Sequence, residues 1–225
     1  MAAAPHPPSL APHAMTIIGW CALVLTGWLF LAIAWDVANH SQLVFLDAKV
    51  AAWLHSHATP TLTQLMLAVS SIHSAAGIAA MSAILAFAMW RMREWWWMLS
   101  LALVVLGGIA LNLLLKQAYE RARPHFDDPM ISLESFSFPS GHASGATAFW
   151  GIAAAFLVSR HYERGKREAI VWLAIGMVAL VALSRMYLGA HYLSDVLAAI
   201  ASTAAWLVLC LATVRGVVHR RLARR

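Results

Sequence analysis

Long stretches without a charged side chain constrain this sequence more than any other feature. Met15 to Trp35 runs 21 residues, and Thr61 to Trp90 runs 30, with no Asp, Glu, Lys or Arg. About 20 apolar residues suffice to cross the hydrocarbon of a bilayer as a helix. In hydrocarbon each backbone N–H and C=O must be bonded within the protein, which favours helices. Four further apolar runs follow: Trp95 to about Leu115, Ser140 to Ser159, Ala169 to Leu183, and about His191 to Val214. Six runs predict an all-α, polytopic membrane protein with six transmembrane helices. Only 12% of the 225 residues are charged, against about 25% in soluble domains. No separate soluble module is expected.

Residues 1–14 contain Pro5, Pro7 and Pro8 and no Lys or Arg, and read as a disordered tail. The membrane domain is expected over 15–215, with a basic tail over 216–225. The first run lacks the basic flank of a signal peptide, so it is kept as a membrane helix. Thr61–Trp90 is long for one span and reads as tilted or as starting before the membrane. Between these two runs, Leu43, Leu46, Val50, Trp53 and Leu54 recur at helical spacing. That pattern suits an amphipathic helix lying on the membrane surface. His55 and His57, two residues apart, would point to different faces of such a helix, which disfavours a metal pair. His73 reads as a histidine bonded to a neighbouring helix. Trp95-Trp96-Trp97 is an interfacial aromatic cluster, and Gly107-Gly108 would allow close helix packing. Cys21 and Cys210 sit in apolar runs with the spacing of neither a metal site nor a disulfide framework.

The net charge of +6 is explained by membrane topology rather than by nucleic acid. Cytoplasmic loops of membrane proteins are enriched in Lys and Arg. With the N-terminus inside, the inner segments carry Arg91, Arg93, Arg160, Arg164, Lys166, Arg167 and the arginines of the C-terminal tail, 11 of the 16 basic residues. Lys49, Lys116, Arg121, Arg123 and Arg185 fall outside. Both termini are therefore expected in the cytoplasm, and the 116–139 loop on the outer face.

The outer-face polar residues gather into a pattern. Lys116 closes the third span and Arg123-Pro124 follows. Phe138-Pro139-Ser140-Gly141-His142 opens the fourth span; Ser140 suits an N-cap, and free N–H groups at a helix start suit an anion. Arg185 ends the fifth span. His191 and Asp195 open the sixth at a spacing that places both on one helical face. Each residue alone has an ordinary reading: snorkelling cations, a helix-start turn, a structural ion pair. Together, three cations and helix N–H groups make a cradle for a multiply charged oxyanion. A His held by a carboxylate suits a nucleophile, and a second His suits a proton donor.

In order, Lys116-x6-Arg123-Pro124, Pro139-Ser140-Gly141-His142 and Ser184-Arg185-x5-His191-x3-Asp195 resemble the three-part signature of the type 2 phosphatidic acid phosphatases. That family includes bacterial membrane lipid phosphatases and shares its site with vanadium haloperoxidases. The resemblance implies a helical core of that kind and a phosphohistidine intermediate. His191 would attack phosphorus and Asp195 would hold its ring. Lys116, Arg123, Ser140, Gly141 and Arg185 would bind the phosphate oxygens, and His142 would protonate the leaving group and then activate water. The family uses no metal, and no carboxylate cluster in this sequence suggests one.

Only 14 residues separate Pro124 from Pro139, too few for a folded lid. The expected substrate is therefore a lipid phosphate at the outer surface of a bacterial inner membrane, with undecaprenyl pyrophosphate as first choice. Phosphatidylglycerol phosphate, phosphatidic acid and lipid A phosphates are alternatives. A lipid-to-lipid phosphotransferase and a non-catalytic membrane protein are the competing classes; the intact signature weighs against the second.

Overall fold

The computed structural model describes residues 12–131 and 133–223, and all of their regular structure is helical. In chain order the helices are α1 (Pro12–Ala38), α2 (Gln42–Ser56), α3 (Pro60–Ile72), α4 (Ala75–Arg91), α5 (Trp95–Tyr119), α6 (Gly141–Arg160), α7 (Arg164–Tyr187) and α8 (Leu193–Ala223). Five of them, α1 and α5 to α8, are long and apolar enough to cross a bilayer, and α3 with α4 forms a sixth, bent span. The six-span reading holds, but several boundaries move. Residues 1–11 of the expected tail lie outside the described residues, and α1 is already helical at Pro12. The basic residues Arg164 to Arg167 belong to the first turn of α7. The basic tail continues α8 as helix to Ala223, and α8 begins at Leu193, two residues after His191.

The largest correction concerns the uncharged run 61–90. It is not one tilted helix: α3 and α4 meet at an angle of 52°. Thr59 caps α3, with Pro60 in the first turn, and Ser74 caps α4 by accepting from Gly77 N at 3.2 Å. His73, between the two, is 2% exposed. Its Nδ1 donates to Val69 O at 3.0 Å, and its Nε2 accepts from Trp150 Nε1 on α6 at 3.1 Å. A neutral ring with the proton on Nδ1 satisfies both partners. The expectation of a histidine bonded to a neighbouring helix holds, and that bond fastens the bend to α6.

Helix α8 runs through the middle of the bundle, packed on α1, α5 and α6, while α6 packs on α7. Gly107 makes room for Trp206 of α8, since a Cβ there would stand 2.4 Å from Cζ2 of that ring. Val104, Ile152, Phe156 and Cys210 fill the core between α5, α6 and α8. Trp20, Val24, Trp28 and Leu31 remain exposed along α1, as expected of a helix facing lipid. Because neighbouring spans alternate in direction, the ends of α5 and α7 and the starts of α6 and α8 meet at one end of the bundle. The amphipathic helix is present as α2 and packs on α7 and α8 at that same end. Phe138, fully buried against Ile33, Ala34, Val37 and Ala198, anchors the 120–140 loop beneath it.

Candidate active site

The candidate site residues Lys116, Arg123, Ser140, Gly141, His142, Arg185, His191 and Asp195 all lie at this end of the bundle. Ser140 caps α6: its Oγ accepts from Ala143 N at 3.4 Å, and its own N–H donates to Asp195 O at 3.1 Å. The latter bond ties the α6 start to the α8 start. His142, half-buried in the first turn of α6, lies within electrostatic reach of Arg185, His191 and Arg123. Gly141 is exposed, and a Cβ there would sit 3.5 Å from Oδ1 of Asn112.

His191 is not on the helix with Asp195 but in the turn that precedes α8. The four-residue spacing still brings them together, with Nδ1 of His191 3.5 Å from Oδ2 of Asp195. That is an ion-pair distance at the outer limit of a hydrogen bond, and no hydrogen-bond geometry is formed to Nδ1. The opposite nitrogen, Nε2, faces Nη1 of Arg123 at 3.3 Å. Burial pushes the His191 ring down to about 4; the Asp195 carboxylate opposes this shift, while Arg123 and Arg185 add to it. The ring is therefore neutral near pH 7, with a lone pair available.

The three cations are held mainly by carbonyl and hydroxyl oxygens. Lys116 Nζ donates to Phe136 O. Arg123 donates to Ser135 O at 2.5 Å, Phe136 O at 3.2 Å and Ala190 O at 2.6 Å. Arg185, only 4% exposed, donates to Ser70 Oγ on α3, and its Nε has no partner among the described residues. None of the three is ion-paired with a carboxylate among those residues. Their orientation is fixed, but their charge is left uncompensated, which is costly in a buried setting unless an anion is bound. The arrangement suits a phosphate group beside Nε2 of His191. The described residues contain no group of three or more His, Cys, Asp or Glu placed to hold a metal ion.

Three matches of sequence and two of structure bear on this site. Residues 97–218 match the family model of the PAP2 superfamily. That match covers more than half of the chain and includes all three clusters of site residues. The chain belongs to the PAP2 superfamily. It is 34% identical over 139 residues to phosphatidylglycerophosphatase B of Bacillus subtilis, covering 61% of this chain and 68% of that protein. It is 39% identical over 120 residues to a lipid A 1-phosphatase of Rhizobium johnstonii, covering 49% of this chain and 44% of that protein. The crystal structure of a transmembrane PAP2-type phosphatidylglycerolphosphate phosphatase from B. subtilis superposes with a TM-score of 0.78 at 27% identity, over 88% of this chain and 96% of that one. Aquifex aeolicus LpxE shares the fold, with a TM-score of 0.61 at 18% identity, over 74% and 94% of the two chains. This chain is accordingly a membrane-embedded PAP2 phosphatase.

Within this PAP2 site, sequence reading missed three residues. Asn112, one turn before Lys116 on α5, donates from Nδ2 to Pro139 O at 3.3 Å and so steadies the turn before α6. Arg121 differs from the other cations in being paired, through Nη1 to Asp195 Oδ1 at 2.7 Å and through Nη2 to Asp47 Oδ2 at 2.8 Å. Asp47, on the amphipathic α2, is fully buried. An Asn in an apolar run at Lys116 minus four was a usable signal; nothing local marked Asp47. His55, also on α2, stacks on Phe126 at 4.0 Å and contacts Asp128 Oδ1 at 2.9 Å. Phe126 in turn closes over Gly189, where φ is +67° and a Cβ would meet the ring at 3.0 Å.

Proposed function

We propose that this phosphatase hydrolyses a lipid phosphate through a phosphohistidine on His191. The carrying observation is the polarity of His191: Nδ1 turned to Asp195, and Nε2 turned to Arg123 among cations that carry no carboxylate. Nε2 attacks phosphorus while the phosphorus–oxygen bond to the lipid breaks. His142 donates a proton to the departing oxygen. Water then attacks phosphorus as the phosphorus–nitrogen bond breaks and frees Nε2, His142 takes the water proton, and inorganic phosphate leaves. Lys116, Arg123, Arg185, the Ser140 hydroxyl and the Gly141 N–H stabilise the equatorial oxygens as charge spreads over them. These cations supply the charge neutralisation that metal ions supply elsewhere, so activity is expected without a divalent ion.

The named relatives move the first choice of substrate from undecaprenyl pyrophosphate to phosphatidylglycerol phosphate, with lipid A phosphate next. The site is taken to face the exterior of a bacterial inner membrane, with both termini cytoplasmic, on the distribution of basic residues. The test is phosphate release by purified protein from phosphatidylglycerol phosphate, undecaprenyl pyrophosphate, phosphatidic acid and lipid A, with EDTA present. Release from at least one, strongest on phosphatidylglycerol phosphate, is expected. Loss of phosphate from donor lipid with its recovery on an added acceptor lipid instead of in water would favour a phosphotransferase. Dependence on a divalent ion would overturn the mechanism.

A further inference from the structure

Among the described residues, Arg121 is the arginine at this end of the bundle that is ion-paired with carboxylates. Its guanidinium edge spans two fully buried carboxylates, Asp195 at the start of α8 and Asp47 on α2. Ser194 completes the bridge: its Oγ accepts from Arg121 Nη1 at 2.6 Å and donates to Asp47, and its N–H donates to Asp47 Oδ1 at 2.9 Å. Asp47 thus caps the first turn of α8 from 147 residues away. Asp195 receives Arg121 on Oδ1, and Ser137 Oγ and Tyr192 N–H on Oδ2.

A charge count gives this bridge a purpose. Asp195 with Arg121 alone would be a neutral pair and would attract a proton on His191 weakly. With Asp47 the cluster carries one net negative charge, in a buried setting where charges are poorly screened. The groups facing His191 from the other elements are cationic or neutral: Arg123 from the loop, Arg185 from α7 and His142 from α6. Only the α2–α8 cluster opposes them. We propose that Asp47 is a positioning residue for phosphoryl transfer, sharing Arg121 with Asp195 so that Asp195 stays oriented and anionic toward His191. Helix α2 then serves the chemistry as well as the membrane surface. This inference rests on His191 being the nucleophile.

The experiment measures kcat, KM and the pH profile on a water-soluble aryl phosphate for the full-length protein in detergent, with His191→Ala as reference. Asp47→Asn keeps the size and the Ser194 acceptor but removes the charge. A kcat lower by at least about tenfold is expected, with KM within about threefold, and the acid limb of kcat/KM should move to lower pH. Arg121→Gln adds net negative charge and should move the limb the other way. An unmoved limb in Asp47→Asn overturns the proposal, whether or not the protein is less stable. Should Asp47→Asn fail to fold, Arg121→Gln is compared with Asp47→Asn/Arg121→Gln. Return of the limb to its wild-type position in the double variant supports the proposal, and identical limbs in the two overturn it. Full activity in His191→Ala would instead remove the nucleophile assignment on which the inference stands.

Discussion

Nδ1 of His191 lies 3.5 Å from Oδ2 of Asp195 across a turn and the first residues of a helix. The contact turns Nδ1 toward the carboxylate and leaves Nε2 as the nitrogen toward the cations.

That geometry predicts an unusual acid tolerance. The ring is pushed down to about 4 by burial, below the ordinary value of about 6.5. The free enzyme therefore keeps a neutral His191 well below pH 6, and kcat/KM should fall only as pH approaches 4. The sign for stability follows from linkage. Between about pH 6.5 and 4 the unfolded chain binds a proton that the folded ring does not, so stability contributed by this site declines as pH falls through that window. Thermal midpoints at pH 7 and pH 5 should differ less in His191→Asn than in wild type. An acid limb near 6.5 would contradict the buried, neutral ring.

Six spans and a clustered site were legible because both rest on patterns that run along the chain itself. Uncharged runs report burial in lipid; Lys116, His142, Arg185, His191 and Asp195 fall at run ends, and Arg123 in the short loop between two of them. The break at His73 was hidden because it uses neither a charge nor a proline. Ser74 caps α4 inside a run that stays apolar on both sides, and the bond that holds the bend comes from Trp150, 77 residues away. Asp47 was hidden for the same reason. Its partner Arg121 is 74 residues on, and a lone Asp on an amphipathic helix ordinarily faces water.

Close packing of α5 on α8 predicts an asymmetric response to Gly→Ala changes. At Gly107 the new methyl would stand 2.4 Å from the Trp206 ring, whose Nε1 donates to Leu103 O at 3.1 Å. The indole must move and strain that bond, and overpacking of this kind costs about 1–3 kcal/mol. At Gly216, where nothing lies within 4 Å, the same change should be neutral or stabilising through helix propensity. Thermal unfolding in detergent should rank Gly107→Ala below wild type and Gly216→Ala at or above it.

The orientation of the bundle is testable at Asp127, an exposed residue of the 120–140 loop. With Cys21 and Cys210 replaced by Ala, Asp127→Cys should react with a membrane-impermeant thiol reagent in cells whose outer membrane alone has been permeabilised. Labelling that requires rupture of the inner membrane would place the site on the cytoplasmic side.

The two histidines are expected to fail in different ways. His191 presents Nε2 to the cations and has Asp195 behind it, so His191→Ala removes the attacking atom and should abolish turnover on every substrate. His142 sits in the first turn of α6 facing the same cluster, and its absence leaves the nucleophile in place. General acid catalysis contributes about 10²- to 10⁴-fold, and that contribution shrinks when the departing oxygen is already a weak base. His142→Ala should therefore lose most activity on an alkyl lipid phosphate and markedly less on an aryl phosphate. With the aryl substrate it should also accumulate phosphoenzyme, because the water step has lost its base, whereas His191→Ala should accumulate none. Samples quenched in alkaline detergent, then split and treated with acid to cleave the acid-labile phosphorus–nitrogen bond, distinguish the two. Equal losses on both substrates, or phosphoenzyme formed by His191→Ala, would reverse the assignment.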